Sequence, residues 1–205
     1  MAIFGGSFNP PHVSHVLAVT YALVTAPIDE VLVVPVYQHP FAKELASFED
    51  RFEMCRLALE WIPGVRVSDV ERVLGGESKT LRTLEHLQAE NPDWSLRLLI
   101  GADVLADAPK WHRFDRVAEL APPLILGRAG FAAADRAADR AGEQPAATRA
   151  PEPVLPRVSS TEIRDAFAAG DEETLRLKVP AVILRYAGAR GLYRRGSDAE
   201  GAPGR

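Results

Sequence analysis

Among its 205 residues the sequence holds a single cysteine, Cys55. One thiol cannot close an internal disulfide and cannot supply a cysteine-rich zinc site. The apolar runs are all short, far below the ~18 residues a membrane-spanning helix requires. Positive charge is not in excess either: 24 Lys and Arg stand against 28 Asp and Glu, a formal net charge of −4. That balance argues against a broad nucleic-acid-binding surface. The first residues, Met1-Ala2-Ile3-Phe4, carry no basic segment and run straight into glycine, so a secretory signal peptide is not expected. With 47% hydrophobic and 25% charged residues, the chain has the composition of a globular protein. Its length corresponds to about one domain, enough to bury a core without covalent staples. A soluble, cytoplasmic α/β protein is the expectation.

Apolar runs alternate with segments of helical period. Ala2–Phe4, Val31–Pro35, Leu96–Ile100 and Leu124–Leu126 are nearly continuous apolar stretches, and Val65–Val70 alternates. Such runs read as strands covered on both faces, as in a parallel sheet. Between them, Val16, Leu17, Thr20, Leu23 and Val24 recur at helical spacing. A second helix is predicted around Phe52–Ile62, stopped by Pro63-Gly64, and a third around Leu81–Leu87, stopped near Asn91-Pro92. Strand and helix in alternation form βαβ units. The expected fold is a doubly wound, Rossmann-like parallel sheet of about five strands with a C-terminal helical subdomain. The first strand, three apolar residues before Gly5, is shorter than usual, which suggests a start upstream of Met1.

Composition changes after Gly127. From there to Pro153 there is no Val, Ile, Leu or Met. The expected organisation is a core at 1–130, an Ala/Arg/Pro-rich insert or linker at 131–153, a helical part at 154–193 and a disordered tail at 194–205. Ser159-Ser160-Thr161-Glu162 has the form of a capping box, with Ser159 as N-cap and Glu162 at N3. Its helix should run to about Gly170.

The segment Gly5-Gly6-Ser7-Phe8-Asn9-Pro10-Pro11-His12-Val13-Ser14-His15 lies where the first strand ends and the first helix begins. Two glycines permit a turn whose N–H groups face an anion. Asn9 is a candidate cap, and the helix N-terminus favours phosphate. His12 and His15 are three apart and share a face, placed to donate hydrogen bonds to charge developing on a phosphate. The segment fits neither G-x-G-x-x-G nor the P-loop pattern. Ser159, Ser160 and Thr161 open a second helix, a second anion cradle, with Arg164 one turn further on to engage phosphate oxygens. In an open α/β sheet, ligands bind at the carboxyl ends of the strands where strand order reverses. Gly5 and Gly101 are expected to flank that point, with Asp103 either capping a helix or facing ribose hydroxyls.

Gly-Gly-Ser-Phe-Asn-Pro-Pro-His-x-x-His resembles the first signature of the nucleotidylyltransferase superfamily, and Ser159-Ser160-Thr161-Glu162-Ile163-Arg164 resembles its second. Within the superfamily the sequence is most similar to the bacterial nicotinate mononucleotide adenylyltransferases. Gly101-Ala102-Asp103, Trp111, Leu126-Gly127-Arg128-Ala129-Gly130, and the stretch from Val179-Pro180 to Gly191-Leu192-Tyr193 carry that likeness. The resemblance spans residues 1–130 and 154–193. It implies transfer of AMP from ATP to nicotinate mononucleotide, with Mg²⁺ carried by the ATP, no metal site of the protein's own, and a role in NAD biosynthesis. His12, His15, Arg164 and Lys43 would be catalytic. Gly5, Gly6, Ser7, Phe8, Gly101, Asp103, Ser159, Ser160 and Thr161 would bind ATP. Asn9, Thr80, Trp111 and His112 would bind the mononucleotide, the indole by stacking on the pyridine ring.

The sequence departs from the family at three places: Ser14 replaces a frequent Gly, Phe41-Ala42 interrupts a Pro-His-Lys run, and Lys79 replaces a frequent Tyr. Nicotinamide mononucleotide and phosphopantetheine are alternative acceptors, and a non-catalytic ATP-binding module is an alternative of a different class. The expected partners are ATP and a mononucleotide, with no nucleic acid and no membrane. Assembly of identical chains stays open. The resemblance offers Arg51, after Lys43, as a second and weaker candidate to supply positive charge to the triphosphate, and His39, His86 and Cys55 are read as structural.

Overall fold

In the computed structural model, residues 1–38, 45–102, 111, 113–127 and 155–194 are described. The insert at 131–153, the tail beyond Arg194, and Lys43, Asp103, His112 and His39 lie outside them. The elements run β1 (Ala2–Gly6), α1 (Val13–Thr25), β2 (Val31–Pro35), α2 (Phe48–Leu59), β3 (Val65–Val67), α3 (Val70–Leu74), α4 (Thr80–Glu90), β4 (Arg97–Gly101), α5 (Phe114–Leu120), β5 (Pro123–Leu126), α6 (Ser160–Ala169), α7 (Glu172–Lys178) and α8 (Ala181–Ala189).

Five strands form one sheet in the order β3-β2-β1-β4-β5, and every pairing is parallel. Alternation along each strand sends successive side chains to opposite faces. Val31, Val33 and Leu99 enter one cluster with α1, α2 and the C-terminal helices. Leu32, Val34, Leu98 and Ile100 enter the other, with α3, α4 and α5. Both faces of the sheet are thus covered, and β2 is buried along its whole length. The C-terminal helices place Ile163, Leu175, Val179 and Ile183 in the same cluster as Ala2 and Val31.

Strand β1 pairs with β2 from Ala2 to Gly6. With β4 it pairs only at Ala2–Arg97 and Ile3–Leu98. The pairing therefore stops short of the carboxyl ends of β1 and β4, where the strand order reverses and a ligand crevice is expected.

Local expectations need correction at several points. β1 is five residues long because Gly5 and Gly6 continue the strand, pairing with Val34 and Pro35. The glycines therefore do not make the turn. Phe8 does, with φ 46°, and a Cβ on Gly6 would meet its ring at 3.2 Å. The alternating run at Val65–Val70 is only half strand: β3 ends at Val67, and Val70 opens α3 with its side chain in the core. Asn9 caps no helix, since His12 is the N-cap of α1. α1 ends at Thr25 because Ala26 precedes Pro27 and is extended, φ −99° and ψ 153°, as the following proline ring requires.

Candidate active site

The β1–α1 loop turns its two histidines into a stacked pair. His12 is extended at the N-cap, and its backbone N–H donates to Nδ1 of His15 at 3.0 Å. The two rings lie 3.8 Å apart between centroids, tilted by 32°. The edge of Phe8 packs on His15 at 4.9 Å. A backbone N–H can only donate, so Nδ1 of His15 must accept, and in the neutral ring the proton sits on Nε2. The neutral His15 ring is thus fixed as the Nε2–H tautomer. His12 is almost wholly buried, at 3% exposure.

Asn9 is the hub beneath this pair. It is 1% exposed, with a cis peptide bond to Pro10. Its Oδ1 accepts from the Ala46 backbone N–H at 3.0 Å and from the Tyr193 hydroxyl at 2.9 Å. This side chain, expected to face a mononucleotide, spends its carbonyl oxygen on joining three parts of the chain.

The second motif docks on the first. Arg164 donates through Nη1 to the Asn9 carbonyl at 2.9 Å and through Nη2 to Thr161 Oγ1 at 3.2 Å. The Ser160 hydroxyl donates to the Pro10 carbonyl at 3.1 Å, and the Ser14 hydroxyl to the Pro156 carbonyl at 2.8 Å. Ser159 is the N-cap of α6, its Oγ accepting from the Glu162 N–H at 3.2 Å. The capping box is only half made, because the Glu162 side chain turns to Lys178 instead. The first N–H groups of a helix have no partner within it, and the start of α6 is tied through Ser160 and Arg164 to the loop that leads into α1. The Arg164 guanidinium bridges the two segments.

The remaining candidate residues among those described are more dispersed. Gly101 ends β4 beside Leu126. Gly5 is exposed at the carboxyl end of β1, and a Cβ there would meet only the Val34 carbonyl at 4.0 Å. Thr80 is the first residue of α4, following Lys79, which pairs with Glu77 at 3.2 Å. Trp111 is half-buried, its ring edge-to-face with Phe114 at 5.9 Å.

Among the described residues three charged ones are buried, Arg51, Glu71 and Asp50, and of these the sequence points only to Arg51. Arg51, at 1% exposure, donates to the backbone carbonyls of Ala46, Ser7 and Tyr37. Glu71 accepts from the Tyr37 N–H at 3.0 Å and the Thr83 hydroxyl at 3.2 Å. Burial pushes its carboxyl above the usual range, against the pull of Ser78, Tyr37 and Thr83. Asp50, by contrast, titrates below its usual range: burial opposes this, but Ser47, Tyr186 and Arg190 outweigh it. Cys55 is fully buried, and burial raises its thiol pKa far beyond reactivity.

Residues 3–166 match the cytidylyltransferase-like family model. A protein of Anaeromyxobacter dehalogenans named "Probable nicotinate-nucleotide adenylyltransferase" is 47% identical, over 95% of this chain and 96% of its own. A Myxococcus xanthus protein of the same name is 39% identical over 94% of each chain. The chain is a member of the nicotinate-nucleotide adenylyltransferase family. Its fold is also that of a Plasmodium falciparum nicotinic acid mononucleotide adenylyltransferase complexed with NaAD, with a TM-score of 0.79 at 17% identity, covering 94% of this chain and 96% of that one. In this member of the family, the bonds of Arg164 to Asn9 and of Ser160 to Pro10 join the two motifs from opposite ends of the domain.

Proposed function

We propose that this chain transfers AMP from ATP to nicotinate mononucleotide, giving nicotinate adenine dinucleotide and pyrophosphate. The observation that carries this reading is the direct joining of the two motifs through Arg164 and Ser160. In the proposed step an oxygen of the mononucleotide phosphate forms a bond to the α-phosphorus of ATP. The bond from that phosphorus to the β-phosphate bridging oxygen breaks, and pyrophosphate leaves in line. The attacking phosphate is already an anion, so no general base is needed. Acceleration then rests on positioning and on stabilising charge in the transition state.

In this reading His15 donates from Nε2 to the oxygens around the scissile bond, and His12, stacked on it, holds that ring in place and lines the same cradle. Arg164 and Lys43 face the β- and γ-phosphates. Gly5, Gly6, Ser7 and Phe8 shape the cradle under the triphosphate, and Ser159, Ser160 and Thr161 offer the N-terminus of α6. Gly101 and Asp103 border the ribose. Thr80, Trp111 and His112 receive the pyridine ring and its carboxylate, with Asn9 bracing the loop beneath them. Among the described residues no three of His, Cys, Asp and Glu cluster as metal ligands. Mg²⁺ fits this site as an ion held by the ATP phosphates and neutralising the leaving pyrophosphate. No described helix is long and apolar enough to cross a membrane, and a cytoplasmic location is part of the proposal.

The test is pyrophosphate release from ATP and Mg²⁺ with nicotinate mononucleotide, nicotinamide mononucleotide and phosphopantetheine in parallel, products identified by mass. Preferred turnover with nicotinate mononucleotide is expected. Preference for another acceptor would replace the substrate, and ATP binding without any turnover would make the chain a binding module.

A further inference from the structure

Arg51 is among the largest wholly buried side chains of the protein. Its guanidinium has no carboxylate partner among the described ion pairs. A charge in that setting is tolerated only when its donors are satisfied. Backbone carbonyls from three separate segments do this. Nε donates to Ala46 at 3.0 Å, Nη1 to Ser7 at 3.0 Å, and Nη2 makes a longer contact to Tyr37 at 3.5 Å. The Phe48 ring covers the guanidinium at 5.7 Å.

Each segment matters to the proposed site. Ser7 belongs to the β1–α1 loop, directly before the Phe8 turn and the Asn9 hub. Tyr37 and Ala46 stand on either side of the stretch that contains Lys43. Tyr37 is also tied through its N–H to Glu71 and to the Ser78 hydroxyl, each at 3.0 Å, and the Ser78 N–H bonds the Gln38 carbonyl at 3.0 Å. This ladder leads to Thr80 at the start of α4. The Ala46 N–H returns to Asn9 Oδ1. A single planar fork thus fixes the β1–α1 loop relative to Tyr37 and Ala46, and indirectly relative to the 78–80 segment.

We infer that Arg51 is a positioning residue for the transfer reaction, clamping Ser7, Tyr37 and Ala46 so that the β1–α1 loop keeps a fixed place against the end of β2 and the start of α2. It acts through those backbones and touches no substrate. The inference rests on the adenylyl-transfer reading above. Lysine keeps the charge but is a point donor without the fork, so Arg51→Lys loses the geometry and retains the charge.

The test compares wild type, Arg51→Lys and Leu87→Ala, the last a core change in α4 that lowers stability away from the clamp. Pyrophosphate release is measured at a temperature where all three are folded. Arg51→Lys should lose tenfold or more in kcat with less than a threefold change in the KM for ATP. Leu87→Ala should keep its kcat despite a comparable fall in Tm. Equal kcat for Arg51→Lys and wild type would overturn the inference, as would a kcat loss that Leu87→Ala shares at matched Tm. Amide hydrogen exchange on the wild-type protein gives an independent reading, needed if Arg51→Lys does not fold. The Tyr37 and Ala46 amides should open together, with matching protection, whereas independent opening would refute the clamp. Absence of turnover by the wild type would reject the reaction assigned above, and the exchange result would still judge the clamp.

Discussion

The Arg164 guanidinium donates to the carbonyl oxygen of Asn9 at 2.9 Å, across 155 positions of sequence. That bond unites the two ends of the domain. It also places a positive charge beside the loop that ends at His12 and leads into the helix turn of His15. Arg164 spans two acceptors, the Asn9 carbonyl and Thr161 Oγ1, which a lysine cannot do with comparable geometry. Arg164→Lys should lower kcat by ~100-fold, the typical cost of one oriented donor at developing charge. It should cost only about 1 kcal/mol of stability, the net worth of an ordinary hydrogen bond. Steady-state kinetics beside thermal unfolding checks both halves. A fall in Tm that fully accounts for the lost activity would remove the phosphate role.

His15 permits a finer separation. Its Nδ1 serves the His12 N–H, and its Nε2 is the proposed donor to phosphate. The Oδ1 of asparagine can take the place of Nδ1, whereas the amide nitrogen of glutamine can reach the place of Nε2. His15→Asn should therefore stay near wild-type stability and lose ~100-fold or more in kcat. His15→Gln should retain more activity and less stability. Unchanged turnover in His15→Asn would take this side chain out of the mechanism.

Trp111 packs edge-on against Phe114, and its proposed work is to stack on the pyridine ring. Trp111→Ala should raise the KM for nicotinate mononucleotide about tenfold, the scale of one aromatic stacking contact, and leave the KM for ATP unchanged. Equal weakening for both substrates would mean a structural tryptophan.

Asp50 and Glu71 should bend the stability profile with pH in opposite directions. Asp50 has a lowered folded pKa. Its contribution is present above its unfolded pKa of about 3.9 and is lost as pH falls through the lower folded value. Asp50→Asn should lower stability at pH 7 and flatten the acid limb. Glu71 has a raised folded pKa, so it binds more protons in the folded state. Stability then declines as pH rises from about 4.3 through that higher value. Glu71→Gln should flatten this decline. Denaturant unfolding from pH 3 to 8 reads both slopes, and slopes unchanged in either variant would contradict its assignment.

Much of this site is legible in the sequence because its parts are local. The segment from Gly5 to His15 and the helix opening at Ser159 each hold their proposed chemistry within a few residues. The parallel sheet is legible too, since β2 and β4 are continuous apolar runs. Other features are hidden for physical reasons. Arg51 bonds backbone carbonyls, one of them 44 positions away, and backbone groups leave no trace in residue identity. Asn9 reads as a cap or a ligand because its real donors, Ala46 and Tyr193, are distant. The helix α3 is too short to show a period, and its first residue, Val70, completes a false alternation with Val65 and Val67. The glycines of β1 suggest a turn, yet their use is to leave room for the Phe8 ring and an open end to the strand.

The most direct test of the account is the stereochemical course at the α-phosphorus. ATP made chiral there by a single sulfur substitution is incubated with the protein, Mg²⁺ and nicotinate mononucleotide, and the configuration of the dinucleotide product is determined by ³¹P NMR. One in-line displacement across the joined motifs predicts a dinucleotide with inverted configuration. Retention would require an intermediate on the enzyme and contradict direct transfer, and a failure to form the dinucleotide under conditions where ATP binds would contradict the reaction itself.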